Sequence, residues 1–448
     1  MSLFGTDGVR GVPNTPPLDV DTVVRLGRAI ARVRAPGGGA VCLARDTRRS
    51  GPFLVSALTA GLLGEGATVF DLGVLPTPGC AALTLRRGAA AGIVVSASHN
   101  PASDNGVKVF NAQGGKLSVA EELQLERETV AGAPPGRGVP GTVVPVPHAC
   151  ADYLDLLARA APGLRLDGLR IVVDCANGAT AVAAPELFRR LGAEQTVICD
   201  TPDRRDINDG CGSEHPEAAC AEVRARGADL GIIFDGDGDR VIFIDDRGAP
   251  VDGDRVMAIL AIDMAARGRL PGMTIVCTDY SNKGLDIALA PHGIEVVRAG
   301  VGDREVAAAM RARGCTLGGE QSGHLILTEF APTGDGILTA LALLAALRRR
   351  NVSLRESAAV MQPLPQILRN VDVAEKVPLA ELQRTSHTIT EAVRSLADRG
   401  RVYVRYSGTQ RMLRVMVEGE NKDQISDMAD RIAATACEEI QARAVRAE

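Results

Sequence analysis

Three aspartates at alternate positions, Asp235, Asp237 and Asp239, directly follow the apolar run Leu230–Phe234. The apolar run is typical of a buried strand, and the intervening glycines let the backbone turn tightly enough for alternate side chains to converge. Carboxylate oxygens are hard ligands that suit Mg²⁺, Mn²⁺ or Ca²⁺. Residues 235–240 therefore predict a strand that runs into a metal-binding loop, and a metal so placed usually serves phosphate chemistry.

Other interpretations of this loop are open at this stage. An Asp-Gly hairpin turn is shorter than six residues. An EF-hand loop needs Gly at its sixth position and helices on both sides, whereas the sixth residue here is Arg240 and the run 241–244 favours a strand. The closest alternative is an aspartyl phosphatase with Asp235 as its nucleophile, although Asp239 stands where that pattern has a hydroxyl or small apolar residue.

Ser98 lies in the polar segment 96–101, directly after the strand-like run 92–95. Open α/β folds bind ligands at the carboxyl ends of their strands, which makes Ser98 a candidate nucleophile. On the local pattern alone, a serine-capped Asn-Pro turn is the favoured interpretation. Lys108 follows on a predicted strand that could return its ammonium group to the same place, in a chain with only five lysines against 45 arginines. The alternative for Lys108 is an ordinary solvent-facing side chain.

Two further polar loops carry groups that suit a phosphorylated sugar. Glu320, Ser322 and His324 offer a carboxylate, a hydroxyl and an imidazole, which can hydrogen-bond sugar hydroxyls. The second loop contains guanidinium, hydroxyl and backbone N–H groups that suit a phosphate dianion: Arg405, Ser407, Gly408, Thr409 and Arg414. The alternatives are a generic strand-to-loop turn and a polar hairpin tip. Neither a Walker loop nor a Gly-x-Ser-x-Gly motif occurs in the sequence.

The composition favours a multidomain protein that acts on a small molecule. A length of 448 residues suggests about three domains. A net charge of −5 with 23% charged residues lacks the excess of positive charge that is typical of nucleic-acid-binding proteins. Ten scattered cysteines without a Cys-x-x-Cys pair predict reduced, mostly buried thiols. The longest apolar stretches, such as 337–347, are too short to cross a bilayer, and no signal peptide precedes Phe4. We therefore predict a cytoplasmic monomer or homodimer that binds neither nucleic acid nor membrane.

Strand-like and helical segments alternate over most of the chain, which predicts α/β domains with helices flanking their sheets. The predicted strands are 41–44, 68–72, 92–95, 169–174, 195–199, 229–234, 274–278 and 295–298. The predicted helices are 52–64, 78–87, 284–290 and 304–313. Segment 131–147 is dense in Gly and Pro and predicts a linker. The predicted domains are 1–147 with the Ser98 loop, 148–248 with the metal loop, 249–363 with the sugar loop, and a smaller α+β domain, 364–448, with the phosphate loop.

Taken in order, these motifs resemble those of the α-D-phosphohexomutase family. The similar segments are 4–11, 45–48, 96–101, 208–213, 235–240, 301–304, 318–324, 405–409 and 413–419. The resemblance implies three related mixed-sheet α/β domains and a smaller C-terminal α+β domain around a central cleft. The motifs are most similar to those of bacterial members that act on glucosamine phosphates. Members acting on mannose or glucose phosphates are the alternative, and a non-catalytic sugar-phosphate sensor is the alternative from another class.

The resemblance also implies a role for each candidate residue. Ser98 is expected to be phosphorylated and to exchange its phosphoryl group with a sugar phosphate through a hexose 1,6-bisphosphate, which also serves as a priming species. Lys108 and His324 are the implied proton-transfer groups. The implied Mg²⁺ ligands are Asp235, Asp237, Asp239 and a phosphoryl oxygen on Ser98. The implied substrate-binding residues are Arg10, His99, Arg240, Arg304, Glu320, Ser322, Arg405, Ser407, Gly408, Thr409 and Arg414. Phosphoserine and sugar phosphate each carry about −1.5 to −2 charge, so bringing them together requires such cations.

Three positions depart from the family pattern. Gln410-Arg411 stands where Glu-Pro usually follows Ser-Gly-Thr, so the loop gains a cation and loses a rigid proline. The pair Asp279-Tyr280 replaces apolar residues, and Glu214 replaces a small hydroxyl residue. These changes concern the identity of the substrate rather than the catalytic residues.

Overall fold

The described part of the chain forms four β-sheets, with helices between many of their strands along the chain. The computed structural model describes residues 3–5, 7–132, 136, 138–201, 206–407 and 410–447. It divides into two compact units, one of residues 1–278 and 297–360 and the other of residues 279–296 and 361–448. Three sheets mix parallel and antiparallel strands and the fourth is antiparallel, which confirms the predicted fold class. The four-domain division stays a prediction.

The first sheet carries the Ser98 loop. Its strands are β1 (Val9–Gly11), β2 (Ala40–Arg45), β3 (Thr68–Val74), β4 (Ala91–Val95), β5 (Asn105–Asn111) and β6 (Val143–Pro145). Its helices are α1 (Val20–Arg34), α2 (Gly51–Gly64), α3 (Thr77–Arg86) and α4 (Val119–Ala131), and α5 (Ala149–Ala160) follows β6. The strand order is β1-β5-β4-β2-β3-β6, with β2 parallel to β3 and β4 and with β5 antiparallel to β4 and β1. Because β4 is buried along its whole length, its carboxyl end delivers Ser98 to the interior.

Segment 131–147 is not only a linker, because it contains β6. This three-residue strand pairs in parallel with β3, with Val143 opposite Val69 and Val144 opposite Phe70. The prediction of a linker is therefore wrong for residues 143–145. Strand β6 is exposed along its length, which explains why its sequence shows no buried pattern.

The second sheet carries the aspartate loop. Its strands are β7 (Arg170–Asp174), β8 (Glu194–Ile198), β9 (Leu230–Phe234), β10 (Val241–Ile244) and β11 (Pro250–Val251), in the order β11-β10-β9-β7-β8. Its helices are α6 (Ala184–Arg190) and α7 (Glu217–Arg226). Strands β9 and β10 are antiparallel neighbours, with Phe234 opposite Val241. The aspartate loop therefore connects two strands, which excludes the helix-flanked EF-hand.

The third sheet carries the loop of Glu320. Its strands are β12 (Thr274–Thr278), β13 (Glu295–Ala299), β14 (Leu317–Gly319) and β15 (Leu325–Leu327), in the order β13-β12-β14-β15. The helices of the first unit in this part of the chain are α8 (Gly253–Ala266), α10 (Asp303–Arg313), α11 (Gly336–Arg350) and α12 (Leu354–Ala358), and α9 (Lys283–Leu289) belongs to the second unit. Helix α8 begins with a side-chain cap from Asp252, and its first N–H donates to the carbonyl of Gln321, which fixes the Glu320 loop against the helix.

The fourth sheet belongs to the second unit and is antiparallel. Its strands are β16 (Gln366–Asp372), β17 (Gly400–Tyr406) and β18 (Met412–Gly419), in the order β16-β18-β17, with helices α13 (Gln383–Leu396) and α14 (Lys422–Ala447). The apolar faces of the sheet and helices share one core that includes Leu413, Val415 and Ile432. The predicted order of strand, helix, strand, loop, strand, helix is confirmed. Among the described residues, no helix has the length and apolar character needed to cross a membrane.

A buried carboxyl at the start of α11 makes stability depend on pH. Asp335 accepts a hydrogen bond from the Tyr153 hydroxyl at 2.8 Å and caps the N–H of Leu338. Burial raises the pKa of Asp335 from 3.8 to about 6. The folded state thus holds the Asp335 proton more tightly than the unfolded state. The stabilisation of the fold by protonated Asp335 is therefore complete below about pH 4 and is lost as the pH rises through about 6.

Replacing Asp335 with Asn should remove this dependence. Between pH 4 and 7, the free energy of unfolding of the natural protein should fall by up to about 3 kcal/mol as Asp335 ionises. The free energy of unfolding of Asp335→Asn should not show this fall, because Asn cannot ionise. Urea midpoints of the two proteins at each pH measure the difference. If the urea midpoints of the two proteins changed equally with pH, the prediction would be contradicted.

Candidate active site

The Ser98 side chain is buried and faces the aspartate loop. Its hydroxyl donates to Oδ2 of Asp235 at 2.6 Å and lies 3.3 Å from Nδ1 of His99. The backbone of Ser98 is left-handed, with φ of +50°, and its N–H donates to Oγ of Ser96. A non-glycine residue in this conformation is strained, and such strain is concentrated at functional sites. The structure therefore brings the candidate nucleophile directly to the candidate metal ligands.

A fully buried arginine holds the Ser98 loop in place. The guanidinium of Arg48 donates to the carbonyl oxygens of Ser98 and Asn100 at 2.8 Å each, and to two further carbonyls of the same loop. Asp46 pairs with Arg48 at 3.0 Å and also accepts a hydrogen bond from Ser96. Asn208 donates to the carbonyls of Ser98 and Asn100 from the other side. The strained loop is thus fixed by hydrogen bonds from two separate segments.

The aspartate loop is folded around its first member. Oδ1 of Asp235 accepts the N–H groups of Gly238 and Arg240 at 3.1 Å each. Gly238 has φ of +76°, a conformation that favours glycine. A Cβ on Gly236 would meet the carbonyl oxygen of Ser98 at 2.7 Å, so glycine is required for the two loops to approach. These features explain why glycines separate the aspartates.

The three aspartates can each place an oxygen within 4.8 Å of the others. Oδ2 of Asp237 accepts hydrogen bonds from Thr77 at 2.6 Å and from Lys108 at 2.8 Å. Oδ1 of Asp237 and Oδ1 of Asp239 are buried without a hydrogen-bond partner. Burial raises the pKa of Asp235 well above its usual range, and the neighbouring charges of Asp239 and Asp237 add to this effect. Unpartnered buried carboxylate oxygens beside like charges fit a hard divalent cation.

Lys108 is the central cation of this cluster. Strand pairing places it opposite Val94 of β4, close to the Ser98 loop. Its Nζ lies 2.8 Å from Asp237, 3.0 Å from Asp7 and 3.3 Å from Asp239. Burial favours the neutral amine, but these carboxylates hold the pKa of Lys108 well above its usual range. Lys108 is therefore an ammonium ion, suited to stabilising negative charge.

His324 lies between two carboxylates. Its Nδ1 is 3.6 Å from Oδ1 of Asp239, and its Nε2 is 3.7 Å from Oδ2 of Asp303. Burial lowers the pKa of His324, but Asp239 and then Asp303 outweigh burial and raise it. Lys116 forms ion pairs with both Asp303 and Asp7. His324 and Lys108 thus belong to one buried network of alternating charges.

Arg10, His99 and Arg240 add cationic or polar groups around Ser98. Arg10 pairs with Asp7 at 2.5 Å. The Nε of Arg240 is buried without a hydrogen-bond partner and lies 4.0 Å from Oδ1 of Asp239. Burial lowers the pKa of His99, and the neighbouring charge of Arg240 lowers it further. His99 is consequently held in its neutral form beside the Ser98 hydroxyl.

The predicted sugar-binding residues Glu320 and Ser322 precede His324 on the same turn. Glu320 and Ser322 are half-buried on the turn between β14 and β15, whose closing bond joins the N–H of Gly323 to the carbonyl of Glu320. Arg304, at the start of α10, forms an ion pair with Glu122. Both Arg304 and His324 line a cavity of about 490 Å³. Lys116 and Asp303 also line the cavity, so its walls carry charges of both signs.

In the second unit, two arginines stand directly opposite each other on neighbouring strands. Arg405 of β17 pairs with Arg414 of β18. The Nε and Nη2 atoms of Arg405 donate to the hydroxyl of Tyr280 at 3.1 and 2.5 Å, and its guanidinium lies 5.1 Å from the ring centroid. Burial raises the pKa of Tyr280, but hydrogen bonds from Arg405 and Arg414 outweigh it and lower the pKa. Tyr280, one of the departures from the family pattern, thus occupies the fork of Arg405.

The rest of this loop is partly described. Ser407 is buried, its N–H donates to the carbonyl of Met412, and its hydroxyl accepts the N–H of Gln410. Arg411 is exposed and donates to the carbonyl of Ala374, so its guanidinium is engaged with backbone. Gly408 and Thr409, predicted as phosphate ligands, lie outside the described residues.

Sequence profiles of four successive domains match this chain. They are described as phosphoglucomutase/phosphomannomutase alpha/beta/alpha domain I over residues 1–133, domain II over 151–248, domain III over 252–364, and the C-terminal domain over 368–435. The chain belongs to the phosphoglucomutase/phosphomannomutase family. The resemblance drawn from the motifs is therefore confirmed.

Individual members of the family match over almost the full chain. Phosphoglucosamine mutase of Symbiobacterium thermophilum is 47% identical over 98% of this chain and 99% of its own length. A crystal structure of a phosphoglucomutase/phosphomannomutase family protein from Burkholderia thailandensis has a TM-score of 0.79 at 26% identity, covering 97% of each chain. Aspergillus fumigatus N-acetylphosphoglucosamine mutase, solved with GlcNAc-6P and magnesium, shares the fold with a TM-score of 0.67 at 20% identity, covering 98% of this chain and 96% of its own. The chain is thus a phosphohexomutase, an enzyme of the isomerase class.

Sequence reasoning about this phosphohexomutase missed several residues at the site. Arg48 and Asn208 were noticed only as parts of family-like segments, and Asp7 and Lys116 were given no role. One signal was available for Lys116, because the scarcity of lysine that drew attention to Lys108 applies to it as well. No sequence pattern could have shown that Arg48 is buried against backbone carbonyls, since arginine is normally exposed.

Proposed function

We propose that the chain is a phosphoglucosamine mutase that interconverts glucosamine 6-phosphate and glucosamine 1-phosphate through phosphoserine 98, and so feeds UDP-N-acetylglucosamine synthesis. The main support for phosphoryl transfer through Ser98 is the 2.6 Å hydrogen bond from the Ser98 hydroxyl to Asp235 of the aspartate triad. The amino sugar is supported by relatives named phosphoglucosamine mutase that are 43–47% identical over at least 93% of this chain.

In this proposal, Ser98 alternates between a phosphorylated and a free form. The bond from phosphorus to Oγ of Ser98 breaks while a bond from phosphorus to the C1 oxygen of glucosamine 6-phosphate forms, and the proton of that C1 hydroxyl passes to a basic side chain. The product is a hexose 1,6-bisphosphate. After the bisphosphate turns over, the bond from phosphorus to its C6 oxygen breaks while a bond from phosphorus to Oγ of Ser98 forms. The Ser98 proton passes to a basic side chain, the C6 oxygen takes up a proton, and glucosamine 1-phosphate leaves. Such a reaction depends mainly on positioning and charge stabilisation.

Mg²⁺ is the proposed cofactor, held by Asp235, Asp237, Asp239 and a phosphoryl oxygen on Ser98. The donor set fits because two buried carboxylate oxygens, one on Asp237 and one on Asp239, have no hydrogen-bond partner. When bound, the ion supplies charge neutralisation for the transferring phosphoryl group. Lys108 contributes a permanent positive charge beside the triad, because the surrounding carboxylates keep it protonated.

His324 is the better of the two proposed proton-transfer groups. An imidazole exchanges a proton near neutral pH, whereas the three carboxylates around Lys108 hold its proton firmly. We assign Glu320 and Ser322 to the sugar hydroxyls, and Arg10, His99, Arg240 and Arg304 to the phosphoryl groups and their surroundings. Arg405, Ser407, Gly408, Thr409 and Arg414 are assigned to phosphate binding.

Comparing substrates tests the proposal. The protein, primed with glucose 1,6-bisphosphate and supplied with Mg²⁺, should have its highest kcat/KM on glucosamine 6-phosphate, measured beside mannose and glucose phosphates. A preference for mannose or glucose phosphate would assign the chain to another activity of the family. Binding of sugar phosphate without isomerisation, even after priming, would overturn the proposal in favour of a non-catalytic sensor.

Tyr280→Phe should tighten the binding of sugar phosphate. The phenol oxygen occupies both Nε and Nη2 of Arg405, which together form the fork that a phosphate takes, so its removal frees that fork while the ring remains. A hydrogen bond to a charged group is worth about 1.5–3 kcal/mol, which corresponds to a fall in KM of about tenfold or more. The matched control is Tyr403→Phe, whose hydroxyl donates to Asp279 instead. A rise in KM for Tyr280→Phe would show that Tyr280 holds Arg405 in a productive orientation.

A further inference from the structure

Two thiols meet behind the Ser98 loop, in a place that the proposed reaction does not use. Cys199 and Cys211 lie with the carboxyl of Asp174 in one cluster whose reactive atoms are within 4.8 Å of one another. The two Sγ atoms lie within 4.8 Å of each other, and the amide of Asn177 lies 3.7 Å from Sγ of Cys211. Cys211 is buried, whereas Cys199 is half-buried and reachable from solvent.

The backbone holds this pair together at a conformational cost. Cys199 directly follows β8 and has φ of +52°, a left-handed conformation that non-glycine residues rarely adopt. Its carbonyl accepts the N–H of Asn177 at 2.6 Å, which fixes the residue in that state. On the other side, the N–H of Gly212 donates to Asp174 at 3.2 Å and fixes the backbone next to Cys211. Strain maintained by surrounding contacts is a mark of a functional position.

We propose that Cys199 and Cys211 are a reversible disulfide site. A metal site with Asp174 as third ligand fits less well, because both carboxylate oxygens of Asp174 already accept backbone N–H groups, from Ala176 at 2.8 Å and from Gly212 at 3.2 Å. Two thiols in contact, one accessible and one buried, are instead the arrangement for thiol–disulfide exchange. The ten cysteines are present as thiols in the structure, so the pair is here in its reduced form.

The oxidant is a low-molecular-weight disulfide. The accessible Cys199, as its thiolate, attacks one sulfur of this disulfide, forming a mixed disulfide and releasing the first small thiol. Cys211 then loses its proton and attacks the sulfur of Cys199, which forms the internal disulfide and releases the second small thiol. The neighbouring thiol of Cys199, burial and the charge of Asp174 raise the pKa of Cys211, so Cys211 is a poor first nucleophile and attacks only once the mixed disulfide is held beside it.

The pair is linked to the Ser98 loop through Asn208. Asn208 lies between the two cysteines in the chain, and its amide donates to the carbonyls of Ser98 and Asn100 at 2.8 and 3.0 Å. Sulfur atoms that lie within 4.8 Å of each other must approach to about 2.05 Å to form a disulfide, which pulls the segment before Cys211 towards β8. Displacing Asn208 weakens the support of Ser98, so oxidation should slow turnover. This consequence rests on the proposed mutase function, whereas the disulfide itself does not.

The test uses the full chain incubated with oxidised glutathione. Peptide mapping of the natural protein should find a Cys199–Cys211 linkage that dithiothreitol reverses, with turnover falling about tenfold or more and recovering on reduction. Cys199→Ser should keep its activity and lose both the linkage and the sensitivity. Cys437→Ser, which changes another half-buried cysteine, should behave like the natural protein. Cys211→Ser serves as a second variant, checked for folding by its urea midpoint.

Of the three results that follow, the first and third would overturn the disulfide site, and the second would overturn only its effect on turnover. The first is a stable mixed disulfide on Cys199 with no internal linkage. The second is a linkage that leaves turnover unchanged, which would remove the role of Asn208 in transmitting oxidation. The third is stoichiometric zinc on the reduced protein that both serine variants lose, which would assign a metal site instead. A reduced protein without mutase activity would contradict the proposed function, while the peptide map would still decide whether the disulfide forms.

Discussion

Ser98→Ala is expected to eliminate both phosphorylation of the chain and its turnover. Without Oγ no phosphoserine can form at position 98. Among the described residues, no other side-chain hydroxyl donates a hydrogen bond to the carboxylate of Asp235. Loss of a covalent nucleophile typically lowers kcat on the order of 10⁵-fold or more. Intact-mass measurement after incubation with glucose 1,6-bisphosphate reports the phosphoryl group, and a glucosamine 1-phosphate assay reports turnover.

The matched control is Ser103→Ala, which removes an exposed hydroxyl from the same loop. It should retain both the phosphoryl label and the activity. Because Ser98→Ala removes only one side-chain oxygen, whereas Arg48 and Asn208 hold the loop through backbone carbonyls, the variant should fold and keep its loop conformation. Retention of label or turnover in Ser98→Ala would place the nucleophile elsewhere, with Asp235 as the first alternative.

The strands that carry the site could be predicted because they are buried on both faces. Strands β4 and β9 are apolar runs without a polar residue, and each ends where polar residues begin. Strand β6 could not be predicted, because an exposed edge strand of three residues among glycines and prolines has neither a buried pattern nor sufficient length. Local patterns thus predicted long buried strands such as β4 and β9 and missed the short exposed strand β6.

The same distinction applies to the site. Ser98 and Asp235 were predicted separately, each from the end of a strand, but their contact joins loops of two different sheets, and no local pattern encodes how sheets pack. Arg48 was missed because its role depends on burial against carbonyls of a loop about 50 residues away. Tyr280 was noticed as a departure, yet its contact with Arg405 spans 125 positions in the sequence. Residue types were thus readable from the sequence, whereas partners distant along the chain were not.

The charges around the triad explain how so many ionisable groups share a buried site. Asp235, Asp237 and Asp239 repel one another, and burial penalises every charge. Lys108 offsets this repulsion by contacting Asp237 and Asp239 at once, while Asp7 and Lys116 extend the alternation of charge outwards. Oδ1 of Asp237 has no hydrogen-bond partner, and Oδ1 of Asp239 has only the longer contacts to His324 and Arg240, so the protein's own cations do not fully satisfy the cluster. A divalent cation would complete it.

Asp237→Asn is therefore expected to lower the affinity for Mg²⁺ by about 100-fold or more, with phosphoryl transfer from Ser98 falling in parallel. The substitution removes one negative charge and one hard oxygen but preserves shape and an acceptor for Thr77. Calorimetric titration with Mg²⁺ and single-turnover phosphoryl transfer measure the two effects, and phosphate binding at Arg405 should be unchanged. Asp246→Asn, on the exposed turn after β10, is the matched control for loss of one charge. If Asp237→Asn bound Mg²⁺ as tightly as the natural protein while losing turnover, Asp237 would act by positioning Lys108 rather than by holding the metal.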